Sequence, residues 1–305
     1  MRTKKNQMQR ADLSVPEQEF LQCPKCNDSN KNSRLLGVII VFSFAIQSGY
    51  AQTESLPFQN GEELSYDIHY KYGLVMLKAG VGRYSIEEIA YEEQPAYKSA
   101  LYFKTSFFFD KIFKIRDTLN SYASIPTLVP IYHNRNINEG NTHFKEDLFF
   151  LKHSISRSEV RSKQERNTKL RFDTVLNVNN LGYDILSIFM FIRTLDYSKI
   201  KPGDSFQITI FMGKKTINVI IRYKGQAIIG KRKAKYKTLN LNVDITDKVF
   251  SESKNSMEIW LSDDENKIPL KIKAKLKIGS AEANLSSYKN LKNPFPPEAV
   301  MYKPK

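Results

Sequence analysis

The sequence predicts a mostly β fold, a single antiparallel sheet curved strongly into a half-barrel around one buried apolar helix. Three observations carry that expectation. Long stretches alternate with period two, as in LKIKAKLKIGS (Leu270 to Ser280), where Lys271, Lys273, Lys275 and Lys277 interleave with Ile272, Ala274, Leu276 and Ile278. Successive strand side chains point to opposite faces, so this stretch presents a lysine face to water and an apolar face to a core. Turn residues punctuate the alternating stretches: Gly140-Asn141, Pro202-Gly203-Asp204, Gly213-Lys214, Gly225, Gly230 and Asp263 to Asn266. Such residues reach hairpin conformations at little steric cost. One stretch breaks the pattern. YDILSIFMFIRTL (Tyr183 to Leu195) is apolar around most of a helical circumference, so it needs cover on most sides, which a wrapped sheet supplies.

In chain order, the first feature is LLGVIIVFSFAI, Leu35 to Ile46, an uncharged run with Lys31 and Arg34 ahead of it. A basic flank, a short apolar core and small residues Gly49 and Ala51 predict a secretory signal cleaved before Gln52. The run is shorter than the roughly 20 residues of a spanning helix, which disfavours a membrane anchor. Both cysteines, in CPKC from Cys23 to Cys26, lie ahead of this site, so residues 52–305 form a cysteine-free single β-rich domain. Disulfides and thiol chemistry are then excluded. Half a zinc knuckle without a second ligand pair predicts no metal, and no cofactor motif is present.

The strands expected after cleavage begin with ELSYDIHYKYG (Glu63 to Gly73). They continue with AYKSALYFKTSFFF, LVPIYHNRNI, THFKEDLFFL and KLRFDTVLNV, then, after the helix, SFQITIF, TINVIIRYK, YKTLNLNVDI and MEIWLS. The alternative for Tyr183 to Leu195 is a buried strand. As a helix, it is capped by Asp184 or Asn180, Ser187 bonds backbone, and Arg193 complements the C-terminal dipole while pairing with Asp263 or Asp264. NPFPPEAVMYKPK reads as a flexible Pro-rich tail.

Several of these residues recur together in a pattern. FQNGEELSYDIHYKYGLVMLKAG (Phe58 to Gly80) carries a Phe, a Gly-Glu pair, a strand and a later Gly. Further on come Asp184, Ser187, Arg193, Pro202-Gly203, Trp260-Leu261-Ser262-Asp263, Pro269 and Gly279-Ser280. In this the chain resembles the domain of unknown function 3108 family. The resemblance implies an exported, β-rich envelope protein, typical of Gram-negative bacteria, with no assigned activity.

Charge narrows the partners. With 47 basic and 32 acidic residues the chain has a net charge of +15, and removing the leader's 7 basic and 4 acidic residues leaves about +12. For an exported protein this points away from nucleic acid and toward an anionic membrane surface or simple solubility. On the strand of Lys271 to Lys277 the main reading is protection of a sheet edge, the second electrostatic docking on lipid.

Chemistry is sparsely marked. His133, His143 and His153 are ten residues apart, but that spacing sets neither register nor face, so it predicts no metal site. SDDENK (Ser262 to Lys267) lacks the ligand pattern of a calcium loop and reads as a turn. No Gly-x-Ser-x-Gly elbow is present. The candidate ligand residues are therefore Asp184, Ser187, Arg193, Trp260 and Asp263. Phe103, Phe107, Phe108, Phe109, Phe113, Phe149 and Phe150 supply aromatic surface for the concavity. Non-enzymatic binding of a lipid, acyl chain or envelope partner is the expected function, and an envelope hydrolase is the alternative.

Overall fold

The computed structural model describes residues 56–154, 156–231, 234–246, 257–276 and 278–295. The expected leader, Lys277 and the end of the Pro-rich tail lie outside them. The first half of the sheet comprises β1 (Glu62–Tyr72), β2 (Val75–Tyr91), β3 (Gln94–Thr105), β4 (Arg116–Ser124), β5 (Pro130–Glu139), β6 (Thr142–Ser154), β7 (Arg157–Arg166) and β8 (Lys169–Val178). A short helix, α1 (Phe107–Asp110), lies between β3 and β4. The second half comprises β9 (Gly182–Tyr183), the helix α2 (Ser187–Thr194), β10 (Ser205–Met212), β11 (Lys215–Lys231), β12 (Ala234–Thr246), β13 (Met257–Ser262), β14 (Pro269–Lys275) and β15 (Ser280–Lys289).

All the strands join one 15-stranded sheet in the order β8-β7-β6-β5-β4-β3-β2-β1-β15-β14-β13-β12-β11-β10-β9. Every pairing is antiparallel except β9 with β10, which is parallel. The sheet is thus mixed and closes further than a half-barrel. Ser162 Oγ on β7 donates to Gly213 O at 2.7 Å, and Asn180 Nδ2 donates to Thr209 Oγ1 on β10 at 3.0 Å. Leu148, Val160 and Phe211 seal the same approach. Gly182 is required here, because a Cβ would stand 2.3 Å from the Phe211 ring. Bulges at Ser65/Tyr66, Ile68/His69, Tyr122/Ala123 and Tyr223/Gly225 bend the long strands, as an extra residue on one strand does.

The interior is apolar beside α2. Ile188 and Ile192 of the helix meet Ile217, Val219 and Ile221 of β11 and Leu239 and Leu241 of β12, while Met190 joins Leu64, Ile86 and Phe58 in a second cluster. Phe189 touches both. Ion pairs such as Arg161–Asp173, Lys163–Glu165 and Lys78–Asp67 stud the strands where solvent reaches them. A lipid-spanning barrel has the reverse arrangement, with an apolar outer band.

Three expectations change. The helix is a turn shorter at its start than Tyr183 to Leu195, because Gly182 and Tyr183 pair with Thr209 and Ile210 as β9. Four strands, β2, β4, β7 and β15, were not anticipated, and TSFFF ends in α1 instead of continuing β3. The lysine strand is no edge: β14 lies between β13 and β15. Nor is its apolar row uniformly buried. Ile272 packs on the core, but the strand stops at Lys275, and Leu276 and Ile278 are exposed in the following turn.

Candidate functional site

The five residues singled out as ligand candidates separate into three places. Asp184 and Ser187 form a buried polar knot at the start of α2. Asp184 Oδ1 accepts from the backbone N–H groups of Leu186 and Ser187 at 2.8 and 3.0 Å, while Ser187 Oγ donates to Asp184 O at 3.0 Å. These bonds satisfy the first orphan donors of the helix. Cross-strand partners Ser121 (β4) and His133 (β5) complete the knot. Ser121 Oγ donates to Asp184 Oδ2 at 2.7 Å, and His133 Nδ1 lies 3.3 Å from Oδ1.

A serine, a histidine and an aspartate in one place invite a hydrolytic reading, and the geometry declines it. The serine hydroxyl donates to the carboxylate, whereas a nucleophile must give its proton to the imidazole. All three side chains are at most 2% exposed, so no substrate reaches them. Burial pushes the Asp184 carboxyl upward, but His133, the Ser121 hydroxyl and the Ser187 N–H together outweigh it and hold the group below the usual carboxylate range. The charge is kept in place as an acceptor for the knot.

Arg193 does not pair with Asp263 or Asp264. It points to the opposite end of α2 and meets Glu62 at 2.6 and 2.9 Å in a bidentate pair, both side chains fully buried. Its remaining donors reach Asn266 O and Pro57 O, and its guanidinium lies 5.2 Å from the centre of the Phe58 ring. A planar fork with five donors fits this enclosure, and an ammonium does not. Nearby, the Tyr66 hydroxyl, pushed far up by burial, donates to Pro269 O at 2.9 Å. Asp264 is engaged within its own turn, accepting from Ser262 Oγ and from the N–H groups of Asn266 and Lys267. Asp263 accepts from Gln226 Nε2 at 2.8 Å, away from the helix. Phe58, Glu62, Arg193 and Pro269, drawn from the recurring pattern, are therefore a structural lock that joins the first strand, the helix and the β13–β14 turn.

Trp260 belongs to a third place, a half-open groove of about 470 Å³. β12 pairs with β13 only between Thr238 and Val243, so the β11–β12 hairpin overhangs its neighbour. Ile229 and Tyr236 on that overhang, Trp260 on β13, Leu285 and Tyr288 on β15, and Phe295 line the groove. Phe295 stacks on Tyr236 at 6.2 Å and meets Tyr288 edge-on at 5.1 Å. One cation enters: Lys271 Nζ sits 5.4 Å from the centre of the Trp260 ring and 2.9 Å from Glu282 Oε2. Lys271 is thus half-buried instead of fully wet. Lys273 is also half-buried, and Lys275 is exposed.

His133 is buried and His143 exposed, so these two do not converge, and the side chain of His153 lies outside the described residues. Among the described residues no three of His, Cys, Asp or Glu gather at metal-holding distance. The aromatic residues expected to line the concavity divide: Phe150 packs on Leu148, Val160 and Phe211 inside the closing seam, whereas Phe107, Phe108 and Phe113 are exposed at one end of the sheet. No signal in the sequence marks the groove beyond Trp260 and Lys271, because its walls come from four separate segments.

The family described as "Protein of unknown function (DUF3108)" matches residues 65–286. The chain belongs to this DUF3108 family. No curated protein matches it. Among solved structures it is similar to a "Beta-barrel-like Protein of Domain of Unknown Function DUF1849 from Brucella abortus", with a TM-score of 0.51 at 9% identity, over 76% of this chain and 99% of that one. At that identity the likeness concerns the fold alone. Both findings agree with a DUF3108 barrel whose recurring residues were legible in the sequence, and neither carries an activity.

Proposed function

We propose that this DUF3108 protein is an exported, non-enzymatic binding protein of the cell envelope. It holds the acyl chain of an anionic amphiphile in the Trp260 groove. The observation that supports it is the composition of the groove: Ile229, Tyr236, Trp260, Leu285 and Phe295 make it largely apolar, Asn284, Ser286 and Ser287 add neutral polar groups along β15, and Lys271 is its single ammonium. Binding sites for small ligands are mostly apolar, fall in the range of several hundred Å³, and carry a few polar groups that orient the ligand. Lys271 spends one of its three donors on Glu282 and keeps others for a carboxylate or phosphate head. Export rests on the pattern around Leu35 to Ile46.

Calorimetric titration of residues 52–305 with a long-chain fatty acid, below its micellar concentration, tests this reading. Saturable binding at one site per chain is expected. Leu285→Asp places a charge on the apolar wall and abolishes it. Lys271→Gln weakens the fatty acid about tenfold, equivalent to ~1.4 kcal/mol, and leaves the corresponding fatty alcohol unchanged. Absence of saturable binding, or equal binding by Leu285→Asp, contradicts the proposal.

A further inference from the structure

One end of the sheet exposes an apolar cluster that neither a core nor the groove accounts for. The register places it together. Lys71 of β1 and Lys275 of β14 both pair with Ser280, so the β1–β2 and β14–β15 turns are neighbours. Tyr70 donates its hydroxyl to Ile278 O at 3.0 Å. Gly279, at φ +74°, lets Lys71 O approach to where a Cβ would be 2.2 Å away, so the two turns pack in direct contact. The β3–β4 connection docks beside them: Ser106 N donates to Ala79 O at 2.8 Å and Ser106 Oγ to Lys78 O at 3.2 Å. Gly140 N then bonds Lys114 O, which ties the β5–β6 turn to the same end.

On these joined turns stand Leu74, fully exposed at 103%, Phe107 at 80%, Ile112 at 71%, Ile278 at 65% and Phe108 at 61%. Single exposed apolar residues are ordinary on a protein surface, but a contiguous set on adjoining turns marks an interaction site. Basic residues are interleaved with them. Lys71, Lys111, Lys114 and Lys275 are exposed on the same turns, and Lys111 Nζ lies 4.9 Å from the centre of the Phe107 ring. Asp110, the acid of the β3–β4 connection, is neutralised by a bidentate pair with Arg116, and the four exposed lysines outnumber the exposed Glu139 beside the β5–β6 turn, so the end is basic as well as apolar.

We propose that this end of the barrel inserts its turn tips into the headgroup region of an anionic lipid bilayer. Convex tips fit a soft medium that yields around each side chain. Lysines level with the tips meet the lipid phosphates, while Leu74, Phe107 and Ile112 reach the acyl boundary. The site is separate from the groove and does not depend on it. β15 runs from Ser280 at this end to Leu285 in the groove, about 17 Å at the usual rise per strand residue.

Vesicle co-sedimentation tests the inference. The sheet and its cores are built from residues 56–295, so the protein from Gln52 onward is used, free of the apolar leader. It is expected to sediment with vesicles of phosphatidylethanolamine and phosphatidylglycerol, weakly with phosphatidylcholine alone, and less as salt rises. Combined Leu74→Ser, Phe107→Ser and Ile112→Ser, all at exposed positions, lowers the partition at least tenfold with the melting temperature unchanged. Lys71→Gln with Lys111→Gln and Lys275→Gln removes the preference for anionic vesicles. Leu285→Asp in the groove leaves sedimentation as in the wild type. Equal sedimentation of the serine variant, equal loss with Leu285→Asp, or failure of the wild type to sediment overturns the proposal. So does a concentration-dependent dimer, abolished by the serine variant, since the cover would then be a second copy of the chain.

Discussion

Arg193→Ala is expected to destabilise the protein by about 3–5 kcal/mol, because the Glu62 carboxyl would be left in a fully buried site without its bidentate partner. For a domain of this size that lowers the melting temperature by roughly 10 °C. Three further losses add to the effect: the Asn266 and Pro57 carbonyls lose their donors, and the Phe58 ring loses its cation. Arg193→Lys fails as well, since one ammonium cannot reach both carboxylate oxygens and Asn266 O together. The double variant Arg193→Met with Glu62→Leu is expected to cost less than the two single changes summed, because the charges leave together. Urea denaturation of the four proteins measures the coupling. A wild-type midpoint for Arg193→Ala would mean that Glu62 is solvated and the lock is absent.

The second large effect concerns Asp184. Asp184→Ala strands the Ser121 hydroxyl and the N–H groups of Leu186 and Ser187 in a dry interior. At about 1–3 kcal/mol for each stranded buried group, and with incomplete additivity, a loss of about 3–5 kcal/mol is expected. Asp184→Asn keeps one oxygen as the acceptor for the helix N–H groups and loses the charge and the second oxygen that accepts from Ser121, so its cost is smaller than that of alanine. The pH dependence separates the two contributions. The Asp184 carboxyl is held below its unfolded value near 3.9, so its contribution is fully present above that pH and is lost as pH falls through the folded value. The stability gap between wild type and Asp184→Asn is therefore constant from neutral pH down to about pH 5 and narrows below about pH 4. Urea midpoints measured across that range check it, and a gap that widens on acidification contradicts the sign.

Period-two alternation located β1 and β10 to β14, because those strands turn aliphatic residues toward α2 and polar ones away from it. It missed β4 and β7, where buried serines share the inward face with aliphatic residues, Ser121 with Ala123 and Ser158 and Ser162 with Val160. β4 offers Ser121 to Asp184, and β7 offers Ser158 and Ser162 to backbone groups across the closing seam. The neighbouring interior is polar in the same way: Glu146 accepts from Arg135 and Gln164 inside the curve of β5, β6 and β7. A buried face made of hydrogen-bonded side chains has no hydropathy signature. β2 escaped notice because Gly80 and Gly82 interrupt its alternation. Gly80 faces Lys104 O so closely that a Cβ would lie 2.2 Å from it.

The roles of single residues were legible only when the partner was close in sequence. Asp184 accepts from the N–H groups at the helix start and Ser187 bonds backbone, as their place in the sequence suggests, although α2 begins four residues after the expected start at Tyr183. Arg193 was paired with the nearest plausible acids, Asp263 and Asp264, whereas its partner Glu62 lies 131 residues away on the first strand. The Gly61-Glu62 pair lies just ahead of residues 65–286 that the family model matches, and a sequence pattern names positions without naming contacts. The groove is legible in part, through Trp260 and Lys271, and of the aromatic residues expected in a concavity Phe150 packs inside while Phe107, Phe108 and Phe113 stand at one exposed end.

Groove occupancy is open to one direct reading, since the chain has a single tryptophan, Trp260, and it lines the groove. A fatty acid brominated at mid-chain quenches a tryptophan it touches. At saturation the brominated chain is expected to extinguish most of the emission of residues 52–305, while the unbrominated chain leaves its intensity unquenched and Leu285→Asp is unaffected by either. A brominated chain that binds by calorimetry yet leaves Trp260 emission unchanged would place the ligand elsewhere and contradict the account.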